Sequence, residues 1–466
     1  MEQLTQYERE ELIALMQYAL GNEIEDGMLG KLDKSVERWT WERFKRTDKA
    51  IETWTWERFK RVRDLFESEE RTLEAARNRV TYHAGEKIRL AILYQIPSCW
   101  PSIESFYEAV KADDRFEVTV LLYDEEQKEA AQMAGAREYL EGQGIPFEDA
   151  ASYDFRRKRP HIVLYQTPWD VAHRPRFLQS DMIGALGSRI AYIPYGINYS
   201  ASVYPDYIFS DLKFKMKPWF IAGLSKWLKK DHNLMSERCG HNVFVTGLPK
   251  FDAYANLPER DNSRHELIKG RKVVYLQMHF PDKAGMPHYP VPSIREYVDF
   301  LRKADQYKDV FFILRPHPKF FEAYEKKGFI SEVEELRAIV ESRENILLDE
   351  QPDYREMLLR ADYVMGDRSA LMIEAGSLGI PVLYLTNFYY EEKLLPAVAP
   401  LFESFYRGNS AYDMERFMDM VVMGGMDYKK EERQRAVEEC IPYRDGKCGQ
   451  RIADAMAELL MTEGEE

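Results

Sequence analysis

Residues 361–385 read ADYVMGDRSALMIEAGSLGIPVLYL: a strand, a tight turn, a short helix and a second strand within 25 residues. Tyr363 to Met365 and Val382 to Leu385 are apolar runs of buried-strand length, and a helix is expected over 369–378 between them. Such a unit belongs to a parallel α/β sheet, where ligands sit beyond the carboxyl ends of the strands. Asp367 or Ser369 is placed to cap the helix. The exposed N–H groups and the dipole at its start favour a phosphate, and Ser369 adds a hydroxyl donor. Glu374, one to two turns in, is placed to accept hydrogen bonds from ribose hydroxyls. Alone the pattern is weak, because capped helices follow strands everywhere.

Upstream, Val310 to Leu314 is another buried run, and it leads into Arg315-Pro316-His317-Pro318-Lys319. Two prolines stiffen this loop and remove backbone donors, so its polar groups are expected to point outward. One imidazole flanked by two cations would offer a diphosphate hydrogen bonds and positive charge. The plainer reading is a surface strand-to-helix turn with incidental charges.

The same alternation extends in both directions. Lys272 to Met278 and Ile346 to Leu348 add strands, with helices near 292–304, 320–328, 331–342 and 353–360, giving an α/β domain over 265–435. Strand-like runs at Lys87–Ile96, Phe116–Tyr123, His161–Gln166, Arg189–Pro194 and His241–Thr246, with helices at 103–111 and 126–142, give a first α/β domain over 84–250. The turn-rich Gly247–Asp252 and the polar stretch 256–264 mark the boundary. Residues 436–466 form a C-terminal helical segment that packs on either domain. Residues 1–83 read as a helical extension.

That extension carries an unchanged repeat, Trp39 to Arg46 and Trp54 to Arg61 (WTWERFKR). A fifteen-residue spacing on a helix offsets the two copies by roughly 60°. Lys31 to Arg63 holds eleven Lys/Arg against six Asp/Glu. Aromatics beside cations suit peripheral contact of residues 36–63 with an anionic membrane; packing against the body, with solvated charges, is the alternative. The chain as a whole is acidic, 466 residues with a net charge of −14, which argues against nucleic-acid binding. The 45% hydrophobic content marks a globular chain. Cys99, Cys239, Cys440 and Cys448 form no CxxC, and the N-terminus lacks a signal-peptide pattern, so a reducing cytoplasm is expected. No metal-ligand cluster or cofactor motif is visible.

His317-Pro318, together with Asp362, Asp367, Ser369 and Pro381-Val382-Leu383, resembles motifs of the CDP-glycerol glycerophosphotransferase family, the teichoic-acid-type polymerases and primases. Thr246-Gly247-Leu248-Pro249-Lys250-Phe251-Asp252 is similar to its T-G-x-P-R-x-D linker. Asp445-Gly446-Lys447-Cys448-Gly449-Gln450-Arg451-Ile452 is similar to its late D-G-K-x-x-x-R-I element. The resemblance covers about residues 85–460. It implies a GT-B fold of two Rossmann-like domains facing across a cleft. It also implies an enzyme working at the cytoplasmic membrane face and transfer of a polyol phosphate from a CDP-activated donor to a glycan or lipid-linked hydroxyl. On this resemblance His317, Asp367 and Ser369 serve the donor diphosphate; beside them Arg315, Lys319 and Arg368 are expected to add positive charge, and Glu374 to bind the donor's ribose. Arg368 stands where the family has Tyr, and Ala370 where it has a second Ser.

The first domain departs from the pattern. The family's H-G-T-P-x-K, with its histidine as base on the acceptor hydroxyl, is replaced by Pro194-Tyr195-Gly196-Ile197-Asn198. Gly196 and Asn198 remain on the acceptor side. Tyr195 stands in for the base, but a phenol titrating near 10 is a poor one at neutral pH. Asp170, after a strand end in Gln166-Thr167-Pro168-Trp169-Asp170, is the candidate substitute, or else a turn residue. His173, His279 and His288 have no role assigned. Two rival readings stay open: a UDP-sugar glycosyltransferase or UDP-sugar 2-epimerase relative, which Glu374 fits, and a non-catalytic nucleotide-binding scaffold, which Tyr195 fits.

Overall fold

The apolar runs assemble into two wholly parallel sheets. The computed structural model describes residues 71–466 except Thr72, 124–134, 171–173, Asn198, 200–217, 236–239, 256–260, 282–290, Pro352, 391–392 and 464–466, and the side chains of 231–235. The Trp-rich repeat, the 36–63 segment, Asn198, His173 and His288 therefore lie outside the described residues.

The first sheet contains β1 (Ile88–Tyr94), β2 (Phe116–Leu122), β3 (Phe147–Asp149), β4 (Ile162–Tyr165), β5 (Arg189–Tyr192), β6 (Phe220–Gly223) and β7 (Val243–Val245). Their order is β3-β2-β1-β4-β5-β6-β7. The second contains β8 (Lys272–Met278), β9 (Val310–Pro316), β10 (Ile346–Leu348), β11 (Tyr363–Gly366), β12 (Val382–Leu385) and β13 (Tyr406–Gly408), in the order β10-β9-β8-β11-β12-β13. Both orders reverse direction once, between β1 and β4 and between β8 and β11. Those reversals are where an open α/β sheet parts its loops and leaves a crevice. Two Rossmann-like parallel sheets in one chain are the α/β architecture that the alternation predicts, and the GT-B-like fold that the resemblance implies.

The strands are apolar on both faces because helices cover both. In β8, six of seven residues are buried (KVVYLQM), as a central parallel strand requires. Helices read the other period. In α1 (Glu104–Ala112) Phe106, Tyr107 and Val110 are buried. In α2 (Ile294–Leu301) the buried Ile294, Tyr297, Val298 and Leu301 follow the i, i+3, i+4, i+7 stripe, and Ser293 caps the start by accepting the Arg295 N–H. One apolar cluster includes Ile92 and Phe106 from the first sheet's layers and Tyr275, Ile313 and Leu371 from the second's. The two domains thus share a core within the unit Arg71–Glu466. The remaining faces of the second and first sheets have cores of their own.

After α3 (Leu371–Ser377) and the helix Lys430–Cys440, the chain ends in α4 (Cys448–Glu463), which returns to the first domain and lies on α1. Glu463 accepts the Trp219 indole N–H at 2.7 Å and pairs with Arg189 at 2.8 Å. Gly449 lets the helix start touch α1: a Cβ there would sit 2.4 Å from the Ser105 backbone. Asp252, from the linker motif, accepts the Cys448 and Gly449 N–H groups, each at 2.9 Å, and the Ser105 hydroxyl at 2.7 Å. The linker and the late motif, 196 residues apart, are therefore two halves of one helix cap. Gly247 sits at φ 75°, and a Cβ on it would meet the Cys448 sulfur at 2.6 Å. Asp252, Asp445 and Cys448 bring three ligand-type atoms within 4.8 Å, but the carboxylate at 252 is already spent on the cap and Asp445 pairs with Arg451. Among the described residues, no helix is long and apolar enough to cross a membrane.

The cap predicts a specific sensitivity. Asp252→Ala leaves two N–H groups without their acceptor and should lower unfolding free energy by about 2 kcal/mol. Asp252→Asn, which keeps one acceptor oxygen, should lose less. Urea denaturation reads both; an unchanged midpoint in Asp252→Ala would show that the cap does not hold the domains together.

Candidate active site

Three strand ends meet at the reversal of the second sheet. β8 ends at Met278, β9 at Pro316 and β11 at Gly366, with Met278 paired to Pro316 and Gly366 to Gln277. The next residue on each strand is His279, His317 or Asp367. The rings of His279 and His317 lie side by side, and the Asp367 carboxylate binds the His279 backbone N–H; the sequence assigns His279 no role.

Asp367 is inaccessible to solvent. Its carboxylate accepts the His279 backbone N–H at 2.8 Å and the Tyr297 hydroxyl at 2.6 Å. Of the two residues placed to cap the following helix, Asp367 does not bind its start, while the Ser369 Oγ accepts the Leu371 N–H at 3.1 Å. Nor does Asp367 face a diphosphate; it ties β11 to β8 and to α2 from within. Burial raises its pKa to about 7, against the bonds from Tyr297 and His279 that favour the anion.

His317 lies half-buried with its ring 4.7 Å from that of His279 and 4.6 Å from that of Phe280, centroid to centroid. Contrary to the outward loop expected from the two prolines, β9 runs through Pro316, and the His317 N–H donates to the Met278 carbonyl at 2.7 Å, extending the ladder. The His317 Nδ1 accepts the Lys319 N–H at 3.1 Å. The His279 Nδ1 meets the Phe280 carbonyl at 3.0 Å. Burial, aided by His279, Lys319 and Arg315, holds the His317 imidazole down to about 3. Burial also lowers His279 to about 4, with Arg368 adding and the Phe280 bond opposing. Both rings are neutral at neutral pH, so His317 offers a hydrogen bond rather than the positive charge first expected of it.

Of the remaining cations, Arg315 is drawn aside: its guanidinium reaches the Asp349 carboxylate at 3.1 Å and the Asp349 carbonyl at 3.2 Å. Lys319 and Arg368 are half-buried beside the site. Glu374 is also corrected. Only 2% exposed, it accepts Lys250 Nζ at 2.7 Å, the Tyr254 hydroxyl at 2.6 Å and the Tyr354 hydroxyl at 2.7 Å. Both its oxygens are committed to the linker and to Tyr354, so it has no free oxygen for a ribose. Breaking such a buried pair from one side typically costs about 3–5 kcal/mol. Nothing in the spacing of Lys250 and Glu374, 124 residues apart, announces it.

In the first domain, Asp170 is a buried ion-pair partner rather than a base or a surface turn. It binds the Arg174 guanidinium at 3.0 Å, the Ser180 N–H at 2.8 Å and the Ser180 hydroxyl, while the Arg174 guanidinium lies 4.6 Å from the centre of the Tyr165 ring. Tyr195 and Gly196 follow β5 as expected, half-buried, with the Tyr195 ring 5.2 Å from Trp169 and its N–H on the Gln166 carbonyl.

The buried Asp367 carboxyl makes stability depend on pH. It titrates near 3.9 in an unfolded chain and near 7 in the fold. Between these values the folded protein keeps a proton that the unfolded chain has lost, so this contribution is full at acid pH and declines as pH rises toward 7. Asp367→Asn removes the decline. Thermal unfolding from pH 5 to 8 should therefore show the variant gaining on the wild type, by on the order of 1 kcal/mol per pH unit up to about pH 7. Parallel curves would mean that Asp367 is ionised throughout.

Comparison with known proteins places this geometry. No curated protein sequence matches the chain. Among solved structures it is similar to the S. aureus MnaA–UDP co-structure, with a TM-score of 0.56, 14% identity, and coverage of 80% of this chain and 97% of that one. It is similar to the UDP-GlcNAc 2-epimerase from Neisseria meningitidis bound to UDP-GlcNAc, with a TM-score of 0.53, 13% identity, and coverage of 79% and 99%. It is also similar to the wall teichoic acid polymerase TagF, with a TM-score of 0.53, 12% identity, and coverage of 87% and 96%. At these identities the likeness is one of fold. The family match is narrower and chemical, running from residue 235 to 458 and so taking in the linker, the three strand ends and α4. Residues 235–458 match the model of the CDP-glycerol:poly(glycerophosphate) glycerophosphotransferase family.

Proposed function

We propose that the protein transfers a polyol phosphate, glycerol phosphate first among them, from a CDP-activated donor to a hydroxyl of a cell-surface glycan or lipid-linked acceptor. The observation that supports this most is the convergence of His317, His279 and the β11 end at the switch point of the second sheet. That is the crevice where a doubly wound sheet takes its nucleotide. His317 donates a hydrogen bond to the diphosphate, Arg368 and Lys319 supply charge, and the Ser369 hydroxyl keeps its proton free to donate. Stabilising the departing phosphate in this way lowers the barrier without a covalent intermediate. The acceptor approaches from the first domain, on the side of Tyr195 and Gly196. We place membrane contact, where the acceptor is lipid-linked, in residues 36–63, on their charge and aromatic content alone.

The UDP-sugar reading loses the residue that favoured it, since Glu374 is held by Lys250, Tyr254 and Tyr354. A thermal-shift panel of CDP-glycerol, CDP-ribitol and UDP-sugars, followed by a CMP-release assay, tests the assignment. CDP-glycerol should stabilise the fold and release CMP, and His317→Ala should nearly abolish release while leaving the melting temperature of the free protein close to wild type. Stabilisation by a UDP-sugar alone, or undiminished CMP release in His317→Ala, would overturn it.

A further inference from the structure

The two imidazoles at the strand ends are held in opposite tautomers by the backbone. A carbonyl oxygen can only accept, so the bond between His279 Nδ1 and the Phe280 carbonyl puts the proton on Nδ1 and leaves Nε2 as a bare acceptor. A backbone N–H can only donate, so the bond from Lys319 makes His317 Nδ1 the acceptor and puts its proton on Nε2. Two neutral rings with centroids 4.7 Å apart thus place one donor and one acceptor side by side at the strand ends. Phosphoryl oxygens at neutral pH only accept. They satisfy His317 and are repelled by the lone pair of His279. The partner of His279 Nε2 must carry a proton, and of the groups that the two substrates bring to the phosphorus, that is the acceptor hydroxyl.

We propose that His279 is the general base that takes the proton from the attacking hydroxyl, a role that Asp170, held by Arg174 and Ser180, does not fill and for which the Tyr195 phenol is ill suited. This rests on the transfer reading above. The acceptor oxygen forms a bond to the phosphorus bearing the polyol, and its proton passes to His279 Nε2. The bond from that phosphorus to the bridging oxygen breaks, and the electron pair leaves with CMP, whose developing charge receives the His317 Nε2–H. The imidazolium of His279 then returns its proton to solvent. The ring needs no rearrangement for this, because its tautomer is set before substrate arrives. Its backbone N–H, not its side chain, is what Asp367 binds, so substitutions at position 279 leave the Asp367 anchor in place.

The test uses the full chain with CDP-glycerol as donor and water or added glycerol as the accepting hydroxyl, reading CMP release beside calorimetric binding of CDP-glycerol. His279→Asn keeps a donor for the Phe280 carbonyl and deletes the Nε2 position; His279→Gln keeps a polar group near Nε2 without basicity. Both should bind CDP-glycerol within about threefold of wild type and release CMP about 100-fold or more slowly. Added imidazole should restore part of the turnover of His279→Ala, which covers the case in which one of the other variants fails to fold. Turnover within a few-fold of wild type in His279→Asn or His279→Gln would overturn the base assignment alone. So would a loss of donor affinity that accounts for the whole loss of turnover, since His279 would then hold a donor hydroxyl. A wild-type protein that neither binds nor cleaves CDP-glycerol would remove the transfer reading and this inference with it.

Discussion

The carboxyl group of Asp367, sealed from water between β8, β11 and α2, is what allows the second sheet to have a chemical end. At the switch point two neighbouring strands send their following loops to opposite faces, and nothing in the ladder itself holds the strand ends together beyond the last pair. Asp367 supplies that hold by accepting the N–H of His279 and the hydroxyl of Tyr297. Once the His279 backbone is fixed, its ring lies against that of His317, with centroids 4.7 Å apart. A buried carboxyl with satisfied partners is a rigid anchor; unpaired it would be a large penalty. The arrangement of the strand ends thus depends on a residue whose side chain is closed to solvent.

A second set of buried polar contacts sets the domains against each other. Lys250 and Asp252 lie two residues apart on the linker, and each reaches a different partner: Lys250 the Glu374 carboxylate in α3, Asp252 the start of α4. The linker is therefore a clamp that joins the helix following the candidate site to the helix that returns to the first domain. Charge buried in this manner specifies arrangement more than it adds stability, and a two-domain transferase needs its halves in register more than it needs extra stability.

Much of the fold was legible because parallel strands buried on both faces write themselves as continuous apolar runs, as in Lys272–Met278 and Phe116–Tyr123. Strands β3, β6 and β13 escaped this reading. Phe147-Glu148-Asp149 and Tyr406-Arg407-Gly408 are short edge strands with polar members, and Phe220–Gly223 is only four residues long. In the site, His317 and Asp367 were recognisable as a pair of motifs, but what each does was not. Whether Asp367 faces out to a phosphate or in to a neighbouring strand is decided by Tyr297, seventy residues away. Glu374 and Asp170 misled for the same reason: their partners Lys250, Tyr254, Arg174 and Ser180 are fixed by tertiary packing, and a carboxylate at a strand or helix end looks functional until those partners are seen. His279 carried one unused signal. It follows an apolar strand immediately, in the same relation that His317 has to β9.

The claim on which the account turns is that the ends of β8, β9 and β11 hold the donor's pair of phosphates. A crystal structure of the protein soaked with CDP-glycerol measures this directly. The account predicts a phosphoryl oxygen within hydrogen-bond distance, roughly 3 Å, of His317 Nε2, with His279 Nε2 facing the polyol-bearing phosphorus from the acceptor side. A diphosphate bound elsewhere, with His317 and His279 both unengaged, would contradict it.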